Sequence, residues 1–276
     1  MTTTTTEPDL VSGEPIPTDV RRPPGTPWWR RPWVGPLATV CAVFFLHSVP
    51  RYLTFDPAQS KIPANPDFPL HYAVLVAHVI FGSVAMACCC LQVWPSLRQH
   101  YPVVHRTSGR LYVFAGVLPA GVTAIVVAYV SPSGLSMQLS TMTTSVLWIA
   151  CTVAGFRMAR QRRYTDHRRW MIRSFALTLS IIVSRILGVI YDHTILPPPV
   201  TQNIPELIEW GQTRAGLASW PGWIIPLLIA EWWIVERGSG ARNKARLARR
   251  RAAAAAAAAA SKSPSPSPSA PSSAAS

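Results

Sequence analysis

Hydrophobic residues in this chain gather into six long runs, near 33–50, 71–94, 110–131, 137–156, 170–191 and 220–236. Each can cross the hydrocarbon layer as a helix, for which about 17–20 apolar residues suffice. The polar stretches between them alternate in kind. Arg98, Arg106 and Arg110 follow the second run. Arg157, Arg160, Arg162, Arg163, Arg168 and Arg169 follow the fourth, against the acid Asp166. Arg237, Arg242, Lys244, Arg246, Arg249, Arg250 and Arg251 follow the sixth. The other connections are balanced or acidic: Arg51 and Lys61 with Asp56 and Asp67, then no charge, then Asp192, Glu206 and Glu209 with Arg214. Loops rich in Lys and Arg stay in the cytoplasm. The alternation therefore predicts an all-α, six-helix transmembrane bundle in the cytoplasmic membrane, with both termini cytoplasmic.

Composition agrees. Of 276 residues, 49% are hydrophobic and 14% charged, against roughly 25% charged in soluble domains. The expected organisation is a disordered tail over 1–27, the six-span domain over 28–237, a basic Ala-rich cytoplasmic helix over 238–260 and a disordered Ser/Pro tail over 261–276. The start is Thr- and Pro-rich without a basic segment, so it is not read as a signal peptide. Trp28, Trp29, Arg30 and Arg31 form an interfacial anchor before the first span, which is read as retained. The net charge of +14 sits where topology needs it, so no nucleic-acid partner is expected. The basic helix is expected to meet anionic lipid headgroups; the sequence indicates no protein partner. Cys41, Cys88, Cys89, Cys90 and Cys151 lack metal spacing and are expected to pack as small apolar residues.

Ionisable residues inside the spans carry the functional information, because burying charge in the bilayer is costly and is usually tied to a pathway or ligand. His71 and His78 lie one heptad apart on span two, on one helix face. Arg185 lies one heptad inward of Asp192 on span five, with His193 beside the latter. At 1.5 Å per residue His78 and Arg185 both sit roughly 10 Å deep in the outer leaflet, and His47 ends span one nearby. Two readings of Arg185 stand: pairing with Asp192 while snorkelling outward, or forming a ligand site with His78 and Asp192. His78 is either a neutral ring bonded to a neighbouring helix or a metal or haem ligand.

On the inner side, His105-Arg106 precedes span three and His167-Arg168 precedes span five. These pairs either anchor the helices at headgroups or hold an anion at a helix N-terminus. Arg173 and Glu231 fall at similar depth, and an ion pair between them is expected. Ser140, Thr141, Thr143, Thr144 and Ser145 form a polar stripe expected to bond neighbouring helices. Pro119 and Pro226 are expected kink points.

Two blocks carry a family resemblance. The first is His78-x3-Gly82, Leu91-Gln92, Pro95-x-Leu97-Arg98 and His105-Arg106-x-x-Gly109-Arg110-x-Tyr112. The second is His167-Arg168-Arg169-Trp170-Met171-Ile172-Arg173-Ser174, with Arg185 downstream. Together they resemble bacterial predicted membrane proteins of the domain of unknown function 2306 family. The resemblance covers spans two to five. It implies a multi-pass helical membrane protein and no activity.

Three functions compete. The first is electron transfer through non-covalent haem b, with His78, His47, His71, His105 and His167 as candidate ligands, since axial histidines hold such haems. The second is a cofactor-free binding or transport protein with an outer-leaflet pocket of His78, Arg185 and Asp192. The third is an assembly partner of a membrane complex. No Ser–His–Asp set, phosphate loop or zinc motif supports a hydrolase or transferase.

Overall fold

The computed structural model describes residues 34–60, 65 and 67–262. The expectations for the tail over 1–27, the Trp28–Arg31 anchor and residues 263–276 fall outside that part. Among the described residues the chain is helical, without strands: α1 Val34–Ser48, α2 Pro50–Leu53, α3 His71–Val93, α4 Pro95–His100, α5 Pro102–Leu111, α6 Leu118–Val130, α7 Leu135–Arg160, α8 Tyr164–Thr194 and α9 Ile204–Lys262. A π turn over Tyr112–Val117 joins α5 to α6, so 102–130 form one rod. Five rods are long and apolar enough to cross a membrane: His71–Val93, Pro102–Val130, Leu135–Arg160, Tyr164–Thr194 and Ile204–Glu236. The first expected span appears as α1, an apolar helix of 15 residues.

Prolines punctuate the rods. Trp94 is extended before Pro95, as steric clash with a following proline requires, so α3 stops there. Pro102 opens α5, where its missing N–H is no loss. Pro119 is different. It cannot donate to the carbonyl one turn back, and the wide turn just before it, closed by Leu118 N–H on the Val113 carbonyl, absorbs the defect. Pro221 and Pro226 both lie within α9, which continues to Lys262. That helix begins at Ile204, well before the expected start near 220. The polar first turns, with Glu206, Glu209 and Arg214, hid its onset, since hydropathy marks the apolar window and not the helix.

The rods pack through small residues, the usual interface in membranes. Ala85, Cys88, Cys89, Val117, Ala120, Cys151 and Leu177 form the central cluster. A Cβ added to Gly116 would stand 2.8 Å from the Ala85 Cα, so α3 reaches the π turn only over glycine. Cys41 of α1 seats against Met86 of α3 and Ile182 of α8. Gly134 has φ +85° at the entry to α7, a conformation that costs glycine least. The α7 stripe departs from expectation. The hydroxyls of Thr143, Thr144 and Ser145 bond carbonyls of their own helix, because a back-bond one turn away is always within reach. Ser140 does cross, accepting from Trp223 Nε1 of α9 at 3.1 Å.

Candidate functional site

The end of the bundle where α8 stops and α9 begins holds three arginines and one firmly engaged acid. Arg214 of α9 grips Asp192 of α8 with two parallel bonds, Nε to Oδ1 and Nη2 to Oδ2, the latter 2.7 Å long. Gly188 makes room, since a Cβ there would lie 2.9 Å from Arg214 Nη2. Asp192 is thus spent, and the expected Arg185–Asp192 pair does not form. Arg185 has no hydrogen-bonded acceptor among the described residues; its electrostatic neighbours are Tyr52, Arg214 and Arg51.

His78 turns elsewhere. Its Nδ1–H donates to the Ala120 carbonyl of α6 at 2.9 Å. No hydrogen bond or ion pair joins it to Arg185. The expected pocket of His78, Arg185 and Asp192 is therefore divided between two interfaces, α3–α6 and the neighbourhood of α2, α8 and α9. Matching depth did not fix azimuth. His71 is almost fully buried, at 1% exposure. Its Nδ1 accepts from the Asn65 N–H at 2.9 Å, and Asn65 Nδ2 donates to the Val130 carbonyl at 2.8 Å, tying the loop before α3 to the end of α6. His47 is exposed, and its carbonyl accepts from Arg51 Nη2 at 3.2 Å.

In the middle of the bundle lies a closed hydroxyl network that the sequence did not reveal. The Tyr112 hydroxyl meets Ser174 Oγ at 2.6 Å and Thr178 Oγ1 at 2.8 Å. Ser174 Oγ also meets Thr152 Oγ1 at 2.6 Å, and Trp148 Nε1 donates to Thr178 Oγ1 at 3.0 Å. Thr178 donates to the Ser174 carbonyl. One direction satisfies these contacts together: Thr152 to Ser174, Ser174 to Tyr112, Tyr112 to Thr178. Three rods are joined without leaving a donor unmet, as burial demands.

At the opposite end, Arg173 of α8 binds Glu231 of α9 through Nε to Oε1 and through Nη2 to Oε2 at 2.9 Å. The Arg173 guanidinium also lies 4.7 Å from the Trp170 ring centroid. His167 Nδ1–H donates to the Gly155 carbonyl at 2.8 Å. Gln92 Nε2 donates to the His105 carbonyl at 2.7 Å and to Ser108 Oγ at 2.6 Å, fastening α3 to α5. Arg163 and Arg169 flank Asp166 at 2.6 and 3.6 Å.

Two of the candidate haem ligands are fixed by bonds to the backbone of neighbouring helices. His78 and His167 each spend Nδ1–H on a backbone carbonyl, which leaves Nε2 free for a metal. They stand near opposite ends of the bundle, however, and cannot share one iron. One cavity among the described residues, about 490 Å³, is lined by Ser136, Gln212, Thr213, Gly216, Leu217, Trp220 and Pro221. Another is lined by Val127, Ala128, Ser131, Ser133, Met137, Gln138 and Thr141. Neither touches a histidine. No group of three or more His, Cys, Asp and Glu suited to a metal ion occurs among the described residues.

Residues 75–234 match the family model described as Predicted membrane protein (DUF2306), more than half of the chain. The chain belongs to this family. No curated protein and no solved structure matches it. Within this DUF2306 protein the two resembling blocks meet in space. Tyr112 of the first touches Ser174 of the second, Gln92 rests against Gly109, and Arg173 of the second reaches Glu231. These residues knit helices together. Arg185, by contrast, has no hydrogen-bonded acceptor among the described residues.

Proposed function

We propose that the chain is a six-span protein of the cytoplasmic membrane, with both termini in the cytoplasm, that binds a ligand at the extracytoplasmic end of its bundle. α1 supplies the sixth crossing in this reading, and the alternation of basic and non-basic connections supports the orientation. One observation carries the site: Arg185 sits inside span five without a counter-ion, because Arg214 has taken Asp192. A guanidinium in that position costs a few kcal/mol by insertion scales. A bound ligand offsets a cost that no carboxylate among the described residues offsets.

The decisive measurement is thermal unfolding of the purified protein in mild detergent, with neutral, cationic and anionic solutes, for wild type and Arg185→Gln. A ligand of the site raises the wild-type midpoint and leaves the variant unchanged. Equal responses to every solute remove Arg185 from any binding role. Electron transfer through haem b is the second reading, with His78 and His167 each keeping Nε2 free for a metal. A sharp reduced-minus-oxidised band that vanishes in His78→Ala would support it.

A further inference from the structure

The outer end holds three buried side-chain atoms without a partner among the described residues: Arg51 Nε, His71 Nε2 and Tyr72 Oη. All three can donate. Arginine has only donors. His71 carries its proton on Nε2, because Nδ1 accepts from Asn65. Tyr72 has an O–H. Native proteins rarely leave buried donors unmet, and each case calls for an explanation. A cluster of unmet donors asks for an acceptor, whereas a metal ion would ask for lone pairs.

The charges point the same way. Arg51 and Arg214 each lie within electrostatic reach of Arg185. Asp192 is consumed by Arg214. Asp56, whose charge reaches Tyr72, is occupied by the Ala58 N–H at 3.0 Å and Gln59 Nε2 at 3.3 Å. Two guanidinium groups are left without a carboxylate. Tyr52 organises the group: it is buried on Leu75, Val76 and Val127 beside Tyr72, and it neighbours Arg185 as well.

We infer that this end of the bundle binds an oxyanion, carboxylate or phosphate, with Arg51 and Tyr72 acting beside Arg185 around Tyr52. The inference rests on the extracytoplasmic binding reading above and names its ligand class and two further residues. Guanidinium forks match the planar or trigonal faces of such groups with paired bonds. The same chemistry is offered by a free anion and by an outer-leaflet lipid phosphate. Exposed Ile181, Ile186 and Val189 flank Arg185 on α8, so an acyl chain has a surface to follow.

The test titrates inorganic phosphate and acetate against wild type, Arg51→Gln, Tyr72→Phe and Arg185→Gln, with chloride holding ionic strength constant. A parallel arm compares nanodiscs of phosphatidylglycerol and phosphatidylcholine. Wild type is expected to gain thermal stability with an anion. Loss of one donor should weaken apparent affinity about tenfold, as removing one charge-assisted bond does. A response to free phosphate or acetate identifies a soluble anion; a response confined to phosphatidylglycerol identifies a headgroup. If Arg51→Gln and Tyr72→Phe respond as wild type does while Arg185→Gln does not, the assignment of those two residues is overturned and the binding site stands. If only neutral or cationic solutes separate wild type from Arg185→Gln, the oxyanion is overturned. If nothing separates them, the binding reading falls too. Should Arg51→Gln fail to fold, Arg51→Lys keeps the charge, removes the Nε donor and answers the same question.

Discussion

Tyr112→Phe removes a hydroxyl from the centre of the bundle at almost constant volume, and the geometry predicts a small cost. Three contacts are lost, to Ser174, to Thr178 and the long one from Trp148 Nε1 at 3.4 Å. The remaining donors can re-aim. Ser174 turns its O–H to Thr152 Oγ1, 2.6 Å away, and Thr152 turns its own to the Trp148 carbonyl at 2.7 Å. Thr178 continues to accept from Trp148. No donor is orphaned, so the loss is that of ordinary net hydrogen bonds, about 1 kcal/mol. Thr178→Val is also isosteric but behaves differently. It takes the nearest acceptor from the buried Trp148 N–H, whose next option, the Tyr112 hydroxyl, is 3.4 Å away. An unmet buried donor costs about 1–3 kcal/mol, so Thr178→Val is expected to destabilise by roughly 2 kcal/mol. The assay is equilibrium unfolding in mixed micelles of mild detergent and dodecyl sulfate, followed by tryptophan fluorescence. The reverse order of costs, or a Tyr112→Phe loss above about 3 kcal/mol, would refute the proposed direction of the network.

Other outcomes follow from the packing and the charges. Glu231→Gln and Arg173→Gln should each destabilise by about 1–3 kcal/mol, since each leaves a half-buried partner uncompensated, and the double variant should cost clearly less than the sum in the same unfolding assay. Gly116→Val should cost more than about 2 kcal/mol by prising α3 from the π turn, whereas Gly82→Ala, with open space around it, should cost little or stabilise. Gly134→Ala should lose about 1 kcal/mol through its positive φ and its contact with Gln212. In whole cells, single cysteines replacing Gln59 and Gln202 should react with an impermeant maleimide while one replacing Gln161 should not; labelling at 161 would reverse the proposed orientation.

The sequence disclosed the rods because hydropathy registers them directly, and it disclosed Arg173 with Glu231 because two intramembrane charges of opposite sign at one depth have few other partners. It gave depth without direction. His78 and Arg185 share a level but face different helices, and only the packing of α3 on α6 decides that. Arg214 went unnoticed as a partner for Asp192 because it was read as part of a loop, the apolar window starting only later. The Tyr112 network was invisible for another reason: hydroxyls on three separate helices have no common spacing along the chain. A short π turn left no mark beyond Pro119.

The two-ended fastening of α8 to α9 has a mechanical consequence. At one end the acid belongs to α8 and the base to α9; at the other the roles are exchanged. Sliding either helix along the other by one residue would tear both clasps together, so the pair is held as a beam that can tilt but not shear. Because α9 runs unbroken to Lys262, any tilt imposed where Arg214 meets Asp192 is delivered, magnified by leverage, to the far tip of that helix.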